Sequence, residues 1–351
     1  MTTRERTLTK DEVRWGILGS AKITEAEVGP ALLRTQRSRV HAVASRRRGA
    51  GEALAAALGA AKVYDTYEEL LADPEIDAIY NPLPNVLHHR WTIAALEAGK
   101  HVLCEKPMGM TGAEVRDMNA AAKKADRVLM EGFMWRHHPR VARVRRLIAD
   151  GVIGDVKLVR ATYTFDLAGA ADVRSGSVDD DLRLNPEMGG GALTDLGSYC
   201  VNGLRTYAGS RPTEVMSWSS SAPGRNVETT ISGEVRFENG VIGQFFAALD
   251  IPGGGRVEIL GTGGRIRMDN AFRIREFQAP FIVEIEAANG TVTQESFEFL
   301  DQYDLELEHF VSLVLDGAEP LVTVDDSLDN ALTLESIRRS WAHGPVQIPA
   351  R

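Results

Sequence analysis

Two kinds of hydrophobic pattern follow one another along the chain. Over the first 132 residues, short runs of apolar residues alternate with amphipathic stretches of helical period. Such runs are typical of strands buried on both faces of a parallel sheet, with helices between them. The pattern therefore predicts an α/β domain with a doubly wound, mostly parallel sheet. Its expected strands are Val13–Leu18, Val40–Ala44, Lys62–Tyr64, Asp77–Tyr80, Val102–Cys104 and Arg127–Glu131, and its expected helices are Gly51–Leu58, one from Thr66, Val86–Ala98 and Gly112–Ala125.

Helical spacing resumes from Phe133 through Ala149, and after it apolar and polar residues mostly alternate, which is typical of half-buried strands. The dipeptides Asn239-Gly240 and Asn289-Gly290 indicate hairpin turns between them. Residues 133–324 are therefore predicted to form an α+β domain with a large, mainly antiparallel open sheet. The expected strands are Val156–Phe165, Glu214–Ser220, Thr229–Glu238, Val241–Ile251, Val257–Met268, Ile282–Ala287 and Val292–Phe299.

Helices are expected to cover one face of this second sheet. The candidates begin at Pro139, after Gly191 and at Tyr303, the last one ending at Leu315. The final helix, in residues 325–351, is expected to dock back on the N-terminal domain of residues 1–132. Because an open sheet can pair with its twin, we expect a homo-oligomer, a dimer or a tetramer, built through this sheet.

Composition narrows the possible classes of protein. The 351 residues carry a formal net charge of −9, which argues against a general nucleic-acid surface. No apolar run is long enough to span a membrane, and the N-terminus lacks the apolar core of a secretory signal. Cys104 and Cys200 have no metal-like spacing, so we expect reduced thiols, no metal and a cytoplasmic protein.

The segment His101–Pro107 holds the first candidate for chemistry. Its apolar strand is followed at once by Glu105 and Lys106, and Pro107 disfavours helical geometry at the lysine. Lys106 should therefore project from the carboxyl end of a parallel strand, where open α/β sheets bind their ligands. We interpret Lys106 as the catalytic centre.

The segment after the first strand carries a partial dinucleotide-binding fingerprint. Gly19 fills the first position of the G-x-G-x-x-G pattern, but Ala21 and Thr24 fill the other two. A glycine here lets the backbone turn tightly and present N–H groups to a pyrophosphate. The same residues would also suit an ordinary turn. The dinucleotide-binding interpretation therefore depends on the position of this segment between a strand and a helix.

The second strand ends in Ser45, Arg46, Arg47 and Arg48, with no carboxylate before Glu52. An acidic residue at this point would favour NAD(H), whereas arginine accommodates a 2′-phosphate. The sequence therefore predicts NADP(H) as the cofactor. Arg46 is the preferred phosphate ligand, while Arg47 and Arg48 fit a solvated helix start equally well.

Two further segments lie where they could complete a site. Asn81-Pro82-Leu83-Pro84-Asn85 is predicted to form a rigid loop at a strand end, and His88 follows it in the next helix. Gly189–Gly191 lead into a helix on which Asp195 and Tyr199 share a face. That pair could equally be structural, and the roles of Asp179–Asp181 and Arg183 in the preceding long loop stay open.

These motifs together resemble the Gfo/Idh/MocA oxidoreductases over essentially the whole chain. The resemblance rests on GILGSAKI at Gly16–Ile23, VASR at Val43–Arg46, NPLPN with His88, GKHVLCEKP at Gly99–Pro107, MEGFMWRHHP at Met130–Pro139 and GGGALTDLGSY at Gly189–Tyr199. The pattern is similar to that of the NADP-dependent D-xylose 1-dehydrogenase, dimeric trans-dihydrodiol dehydrogenase and dTDP-ketosugar reductase branches.

The resemblance implies Lys106 as the ligand of the substrate oxygen and Tyr199 as the proton donor or acceptor. Asp195 would align the pair, and a nearby cation and oxidised nicotinamide would lower the pKa of Tyr199. With Arg47 and Lys106 added from the residues themselves, the predicted cofactor contacts are Gly19, Ser20, Ala21, Lys22, Ile23, Ser45, Arg46, Arg47, Asn81, Pro82, Leu83, Asn85, His88, Glu105, Lys106 and Arg136.

The implied function is reversible hydride transfer between NADP(H) and a sugar or sugar-like alcohol or carbonyl, as in D-xylose 1-dehydrogenase. Two alternatives within the enzymes are a nucleotide-linked ketosugar reductase and a trans-dihydrodiol dehydrogenase. A regulator that senses NADP without turnover is a further alternative. The retention of both Lys106 and Tyr199 favours an enzyme over that regulator.

Overall fold

The computed structural model describes residues 11–167 and 181–351. Its first layer is a sheet of six parallel strands in the order β3-β2-β1-β4-β5-β6. The predicted parallel sheet is thus confirmed, and its strand order changes direction beside β1, where the carboxyl ends of β1 and β4 open a crevice. The strands are β1 (Val13–Leu18), β2 (Ser38–Ala44), β3 (Lys62–Tyr64), β4 (Ala78–Asn81), β5 (His101–Glu105) and β6 (Leu129–Gly132).

Helices connect these strands, and they begin and end at residues that favour helix starts and stops. The predicted capping box at Thr66 is present, with Glu69 and Thr66 bonding each other's backbone N–H. Gly99 follows the fourth helix in the left-handed conformation at φ 77°. The helices are α1 (Gly29–Arg34, preceded by a π-helical turn Thr24–Val28), α2 (Arg48–Leu58), α3 (Tyr67–Ala72), α4 (His88–Glu97) and α5 (Gly112–Ala125).

The second sheet has nine strands in the order β14-β13-β12-β11-β7-β10-β9-β8-β15, with only β7 and β10 parallel. A large, mainly antiparallel sheet was the prediction, and it is confirmed. The strands are β7 (Val156–Thr164), β8 (Pro212–Ser220), β9 (Thr230–Phe237), β10 (Ile242–Ala248), β11 (Gly255–Gly261), β12 (Gly264–Asp269), β13 (Phe281–Ala287), β14 (Val292–Phe297) and β15 (Val346–Gln347).

The single strand predicted over Val257–Met268 is wrong. The chain reverses at Thr262-Gly263, and β11 pairs with β12 as a hairpin in which Gly261 faces Gly264. The apolar residues keep their alternation through both strands, so the pattern does not reveal the turn. At the turn, Gly264 has φ +156°, and a Cβ there would lie 2.2 Å from the Glu286 carbonyl oxygen. Only glycine fits that approach.

The helices of the second half are α6 (Pro139–Ala149), α7 (Ser198–Ala208), α8 (Gln302–Leu315) and α9 (Val324–His343). Helix α8, predicted to cover the second sheet, lies instead against the first half of the chain. The Trp15 and Phe310 rings lie 4.9 Å apart, and Arg34 pairs with Asp304 at 2.7 Å. The aromatic contact with β1 accounts for this placement, because Trp15 is fully buried.

Helix α9 lies between the two halves. Glu335 accepts a hydrogen bond from the Gly112 N–H at the start of α5, and Ser217 in β8 donates to the Ile337 carbonyl. A Cβ at Gly112 would approach Leu332 to 2.4 Å, so the two helices touch through this glycine. Among the described residues, no helix is long and apolar enough to cross a membrane.

Candidate active site

Lys106 lies directly after β5, and its side chain crosses to the second half of the chain. Its Nζ donates to both the backbone carbonyl and the Oδ1 of Asp195, each at 2.9 Å. The side chain is only 12% exposed. The ammonium is therefore held in a fixed place at the carboxyl edge of the parallel sheet.

Asp195 and Tyr199 approach the lysine from one helical run. A π-helical turn, Leu193–Gly197, leads directly into α7 and carries Asp195, while Tyr199 lies in the first turn of α7. The Lys106 Nζ lies 4.7 Å from the centre of the Tyr199 ring, a distance at which a cation and an aromatic face attract. The structure thus brings the three predicted catalytic residues together.

Tyr199 is almost enclosed by other side chains. It is 7% exposed, its hydroxyl lies 3.5 Å from Met134 Sδ, and three aromatic rings surround it. The centres of the Phe133, Tyr163 and Phe272 rings lie 5.7, 5.5 and 5.9 Å from that of Tyr199. Sequence reasoning missed these three aromatics, because strand and loop residues scattered along the chain give no local signal that they meet.

This enclosure changes one expectation. Burial raises the pKa of Tyr199 well above its ordinary value, and nearby Tyr303 and Glu105 act in the same direction. This direction is opposite to the lowering expected beside an oxidised nicotinamide, and that lowering stays a prediction for the complex with the cofactor. Desolvation, which penalises the charged phenolate, is the largest cause of this rise.

The carboxylates near Lys106 respond to burial in different ways. Burial alone would raise the pKa of Asp195, but the charges of Lys106 and Arg183 outweigh it and lower that pKa. For Glu105, burial dominates and raises the pKa, although Lys106 and the Tyr80 hydroxyl act against it. Tyr80 donates to Glu105 Oε1 at 2.8 Å. Asp195 is thus the anionic partner of the lysine.

The first predicted cofactor segment forms a tight turn after β1. Gly19 has φ +79°, and its N–H donates to the Ala44 carbonyl of β2 at 2.7 Å. The Ser20 and Ser45 hydroxyl oxygens lie 3.4 Å apart, which joins the turn to the end of β2. The helical run begins beside Ala21, with Lys22 and Ile23 in its first positions. The helix N-terminus and the turn therefore face the crevice together.

The arginines after β2 are not equivalent. Arg48 is tied to Glu52 at 2.9 Å and to Asp65 at 2.7 Å, which leaves it little capacity for a ligand. Arg47 reaches Ser20 Oγ at 3.4 Å. Arg46 is exposed and forms no hydrogen bond or ion pair with any of the described residues. Of the three arginines, Arg46 and Arg47 are thus the two that are available to a ligand beside the turn.

The loop from Asn81 to Asn85 connects the turn with the helix that carries Asp195. Leu83 packs beside Gly19, where a Cβ would lie 3.1 Å from it. The Asn85 side-chain amide donates to the Gly189 carbonyl at 2.9 Å. Pro82 and Pro84 flank the leucine and keep the loop extended. The loop therefore lies between the dinucleotide turn and the catalytic cluster.

His88, predicted as a cofactor contact, is fully buried. Its Nδ1 lies 2.9 Å from the Pro107 carbonyl oxygen and its Nε2 lies 2.7 Å from that of Leu83. The imidazole thus joins the cofactor loop to the segment directly after Lys106. The structure gives His88 this positioning role instead of a direct contact.

Arg136 is the other prediction that the structure places elsewhere. Its Nη1 donates to Asp326 Oδ2 at 3.0 Å, and Arg205 donates to the other oxygen at 2.8 Å. Burial lowers the pKa of Arg136, against the effect of Asp326. The side chain is 8% exposed. The predicted cofactor contact is therefore replaced by a buried ion pair with α9.

The loop before α7 contributes a cation that the sequence left without a role. Arg183 Nη1 lies 3.8 Å from Asp195 Oδ2, and the rest of its guanidinium is bound by Asp181. Asp179 and Asp180, noted with them, lie outside the described residues. No spacing in the sequence indicates that Arg183 reaches the helix that carries Asp195.

Away from this site, His41, Asp73 and Glu75 form a cluster whose geometry could hold a metal ion. The Lys62 ammonium already binds both carboxylates, at 2.9 Å from Asp73 and 2.7 Å from Glu75. Tyr64 also donates to Asp73 at 2.9 Å. We interpret the cluster as an internal ion-pair network.

Comparison with known proteins agrees with this geometry. Residues 13–133 match a family described as "Oxidoreductase family, NAD-binding Rossmann fold", and residues 141–267 match the "GFO/IDH/MocA C-terminal domain". The chain is 33% identical to D-xylose 1-dehydrogenase (NADP(+)) 2 of Haloferax volcanii, over 94% of this chain and 98% of that one.

Two further proteins are similar over most of the chain. Trans-1,2-dihydrobenzene-1,2-diol dehydrogenase of Mus musculus is 32% identical over 72% of this chain and 73% of that protein. The crystal structure of a 3-ketoreductase from Actinomadura kijaniata, in complex with NADP and TDP-benzene, superposes with a TM-score of 0.86. It is 29% identical and the match covers 94% of this chain and 98% of that one.

Proposed function

The chain belongs to the Gfo/Idh/MocA oxidoreductase family, and on that premise we propose that it transfers hydride between NADP(H) and a sugar or sugar-like alcohol or carbonyl. One observation carries the proposal. Lys106, Asp195 and Tyr199 meet at the carboxyl edge of the parallel sheet, where the dinucleotide turn also lies. D-xylose 1-dehydrogenase activity is the form that we expect.

The residues around the turn fit NADP(H). Gly19 and the following helix N-terminus suit a pyrophosphate. Arg46, Arg47 and the hydroxyls of Ser20 and Ser45 form a polar, cationic end suited to a 2′-phosphate. The loop around Leu83 and the carboxylate of Glu105 would complete the site toward Lys106. When bound there, the cofactor supplies or accepts the hydride.

Lys106 has one N–H for the substrate. An ammonium has three N–H donors, and two of them bind the carbonyl and Oδ1 of Asp195. The third is available for a substrate oxygen. As negative charge grows on that oxygen during reduction of a carbonyl, the ammonium stabilises it in a site where little water competes. Asp195 keeps the ammonium aimed.

Tyr199 donates the proton in reduction and accepts it in oxidation. Its raised pKa keeps the phenol protonated at neutral pH, so it is ready to donate to the oxygen of a substrate that is being reduced. The O–H bond breaks as the new alcohol O–H forms, and the phenolate is left beside the Lys106 ammonium. In the oxidising direction the same steps run in reverse. Met134 Sδ is a weak hydrogen-bond acceptor, so the Tyr199 hydroxyl loses little when it turns from this sulfur to a substrate oxygen.

The domain division supports this assignment of roles. We propose that residues 1–132 bind the cofactor, that residues 133–324 bind the substrate, and that the C-terminal helix in residues 325–351 joins them. The support is the contact of α9 with both α5 and β8. The two cysteines, Cys104 and Cys200, are free and buried, which fits the reducing cytoplasm that we propose as its location.

A second copy of this chain is proposed to cover the open face of the nine-stranded sheet. Met216 and Trp218 of β8 are exposed there, Trp218 by 57%, and Ile242 of β10 lies on the same face. Met216 and Trp218 border a groove of about 460 Å³. Size-exclusion chromatography with light scattering should show a dimer for the wild type and a monomer for Trp218→Glu. A wild-type monomer would refute the dimer.

The proposed function is tested with a substrate panel. Aldoses with NADP+, and ketosugars with NADPH, are monitored by the absorbance of the reduced nicotinamide, with trans-dihydrodiols included. We expect turnover of at least one sugar class that is lost in Lys106→Ala. Tight NADP(H) binding without turnover of any member would instead support the NADP-sensing regulator.

A further inference from the structure

The guanidinium of Arg183 is held from one edge only. Its Nε donates to Asp181 Oδ1 at 2.9 Å and its Nη2 donates to Asp181 Oδ2 at 2.8 Å. This two-point pairing fixes the plane of the group. Asp181 also accepts from the Arg183 backbone N–H at 3.0 Å, so the same carboxylate fixes both the backbone and the side chain.

The backbone beside Arg183 is fixed by the triple glycine. The Gly191 N–H donates to the Arg183 carbonyl at 2.8 Å. A Cβ at Gly190 would lie 2.6 Å from the same carbonyl oxygen, so a larger residue would push the two segments apart. The glycines therefore bring Arg183 against the start of the helical run that carries Asp195.

The remaining nitrogen of the guanidinium faces the catalytic cluster. Nη1 lies 3.8 Å from Asp195 Oδ2, which is too long for a hydrogen bond. Within residues 11–167 and 181–351, Nη1 has no hydrogen-bond partner. Its side chain is 37% exposed and lies over the Phe165 ring at 5.5 Å. A fixed, charged donor with free N–H groups therefore points at the active site.

Two cations thus flank one carboxylate. Lys106 binds Oδ1 of Asp195 at 2.9 Å, and Nη1 of Arg183 lies 3.8 Å from Oδ2 of the same carboxylate, so both donors lie beside one carboxylate group. A sugar with oxygens on adjacent carbons offers one acceptor to each of two such neighbouring donors. If the reacting oxygen accepts from Lys106, the oxygen on the neighbouring carbon lies on the side of Arg183.

We propose that Arg183 is a substrate-binding residue that selects substrates with a hydroxyl on the carbon next to the reacting carbon. This inference rests on the proposed function and names the feature of the sugar that the site requires. A neutral hydroxyl, and not a phosphate or carboxylate, is the expected partner. Each cation already has its own carboxylate, Asp195 for Lys106 and Asp181 for Arg183, so the cluster carries no excess positive charge.

The test compares enzyme variants on paired substrates. The wild type, Arg183→Met and a control, Arg146→Met, are assayed on D-xylose and 2-deoxy-D-xylose, and on D-glucose and 2-deoxy-D-glucose, with NADP+. Arg146 is an exposed arginine on α6 that pairs, among the described residues, only with Asp150. Its loss should therefore leave kcat/KM unchanged for both substrates of each pair. Dissociation constants of the same sugars for the NADP+ complex are measured by calorimetry.

A charged hydrogen bond to the hydroxyl predicts a specific pattern. Arg183→Met should lower kcat/KM for the intact sugar by about tenfold or more, and for its 2-deoxy analogue by less than about threefold. The wild-type preference for the hydroxyl should shrink by the same factor, both in kcat/KM and in binding. If Arg183 only supported the loop, Arg183→Met would lower kcat/KM equally for the intact sugar and its 2-deoxy analogue, and that result would overturn the proposal.

The two proposals can fail separately. If the wild type binds the intact sugars more tightly than their 2-deoxy analogues, Arg183→Met loses that preference and no member of the substrate panel is turned over, the proposed function fails and the role of Arg183 stands. If it turns sugars over with no preference for the hydroxyl, or with a preference unchanged in Arg183→Met, the role of Arg183 fails alone. A wild type that binds neither member of either pair refutes the role of Arg183, and the ketosugars and trans-dihydrodiols of the substrate panel then decide the proposed function.

Discussion

The ammonium of Lys106 lies 2.9 Å from Oδ1 of Asp195, and the same nitrogen also donates to the Asp195 backbone carbonyl. One residue of the second half of the chain thus fixes the reactive group of the first half through two hydrogen bonds. The arrangement orients the third N–H of the lysine, on which stabilisation of the substrate oxygen depends.

Replacing Asp195 by Asn should lower kcat strongly while leaving cofactor binding intact. The amide keeps the shape of the side chain but removes the charge that holds the ammonium, so Lys106 loses its fixed direction. A misplacement of about 1 Å in such a group can cost about 10²-fold in rate. Steady-state kinetics with NADPH titration checks this, and a kcat within threefold of the wild type would show that Lys106 needs no such partner.

The pH dependence of carbonyl reduction should reflect the raised pKa of Tyr199. A phenol whose pKa lies above its ordinary value of about 10 stays protonated through the neutral range. The proton-donating form is therefore fully populated from pH 6 to pH 9. The donor form is lost only above the ordinary tyrosine pKa of about 10, so the rate of reduction should fall only beyond that pH. The rate of alcohol oxidation, which needs the phenolate, should rise with pH from pH 6 upward.

Tyr199→Phe provides the control for this profile. It keeps the ring that faces Lys106 and removes only the hydroxyl, so reduction should slow by about 10² or more and any remaining rate should lose the alkaline limb. A reduction profile that falls between pH 6 and pH 8 in the wild type, and is unchanged in Tyr199→Phe, would assign the proton to another group.

Arg46→Asp should change the preference between the two cofactors. A charged hydrogen bond to the 2′-phosphate contributes roughly 1.5–3 kcal/mol, so the ratio of NADPH to NADH affinity should fall at least about tenfold. Arg48→Met is the matched control, because Arg48 is bound by Glu52 and Asp65 and should alter the ratio less than threefold. Equal effects of the two variants would place the phosphate elsewhere.

His88→Ala should reduce both stability and turnover. A neutral imidazole has one N–H and donates to one of the two carbonyl oxygens, of Leu83 or Pro107, so its loss leaves that buried group unsatisfied at about 1–3 kcal/mol. Urea unfolding measures the stability change, and His343→Ala, an exposed histidine at the end of α9, is the control. A variant as stable as the wild type would show that the two loops are joined by other contacts.

The sequence predicted the elements well where a local signal was present. The apolar run before Glu105 and Lys106 identified β5 and the edge from which the lysine projects, and Thr66 with Glu69 identified the start of α3. The hairpin at Thr262-Gly263 was missed, because side-chain alternation continues on both sides of a two-residue turn.

The site was predictable in its residue types but not in its environment. Lys106, Asp195 and Tyr199 are brought together by tertiary contacts as the motifs suggested. The enclosure that raises the pKa of Tyr199 comes from Phe133 and Phe272, which lie far apart in the chain. Likewise, the pairing of Arg136 with Asp326 depends on where α9 docks, which no spacing in the sequence specifies.

The most direct test of the account is the turnover of Lys106→Ala, measured together with its affinity for NADPH. Loss of the ammonium should abolish measurable hydride transfer, because an electrostatic donor of this kind contributes about 10²–10³ in rate. NADPH should still bind with an affinity within about threefold of the wild type. A variant that binds NADPH and keeps more than about a tenth of wild-type turnover would contradict the central role of Lys106.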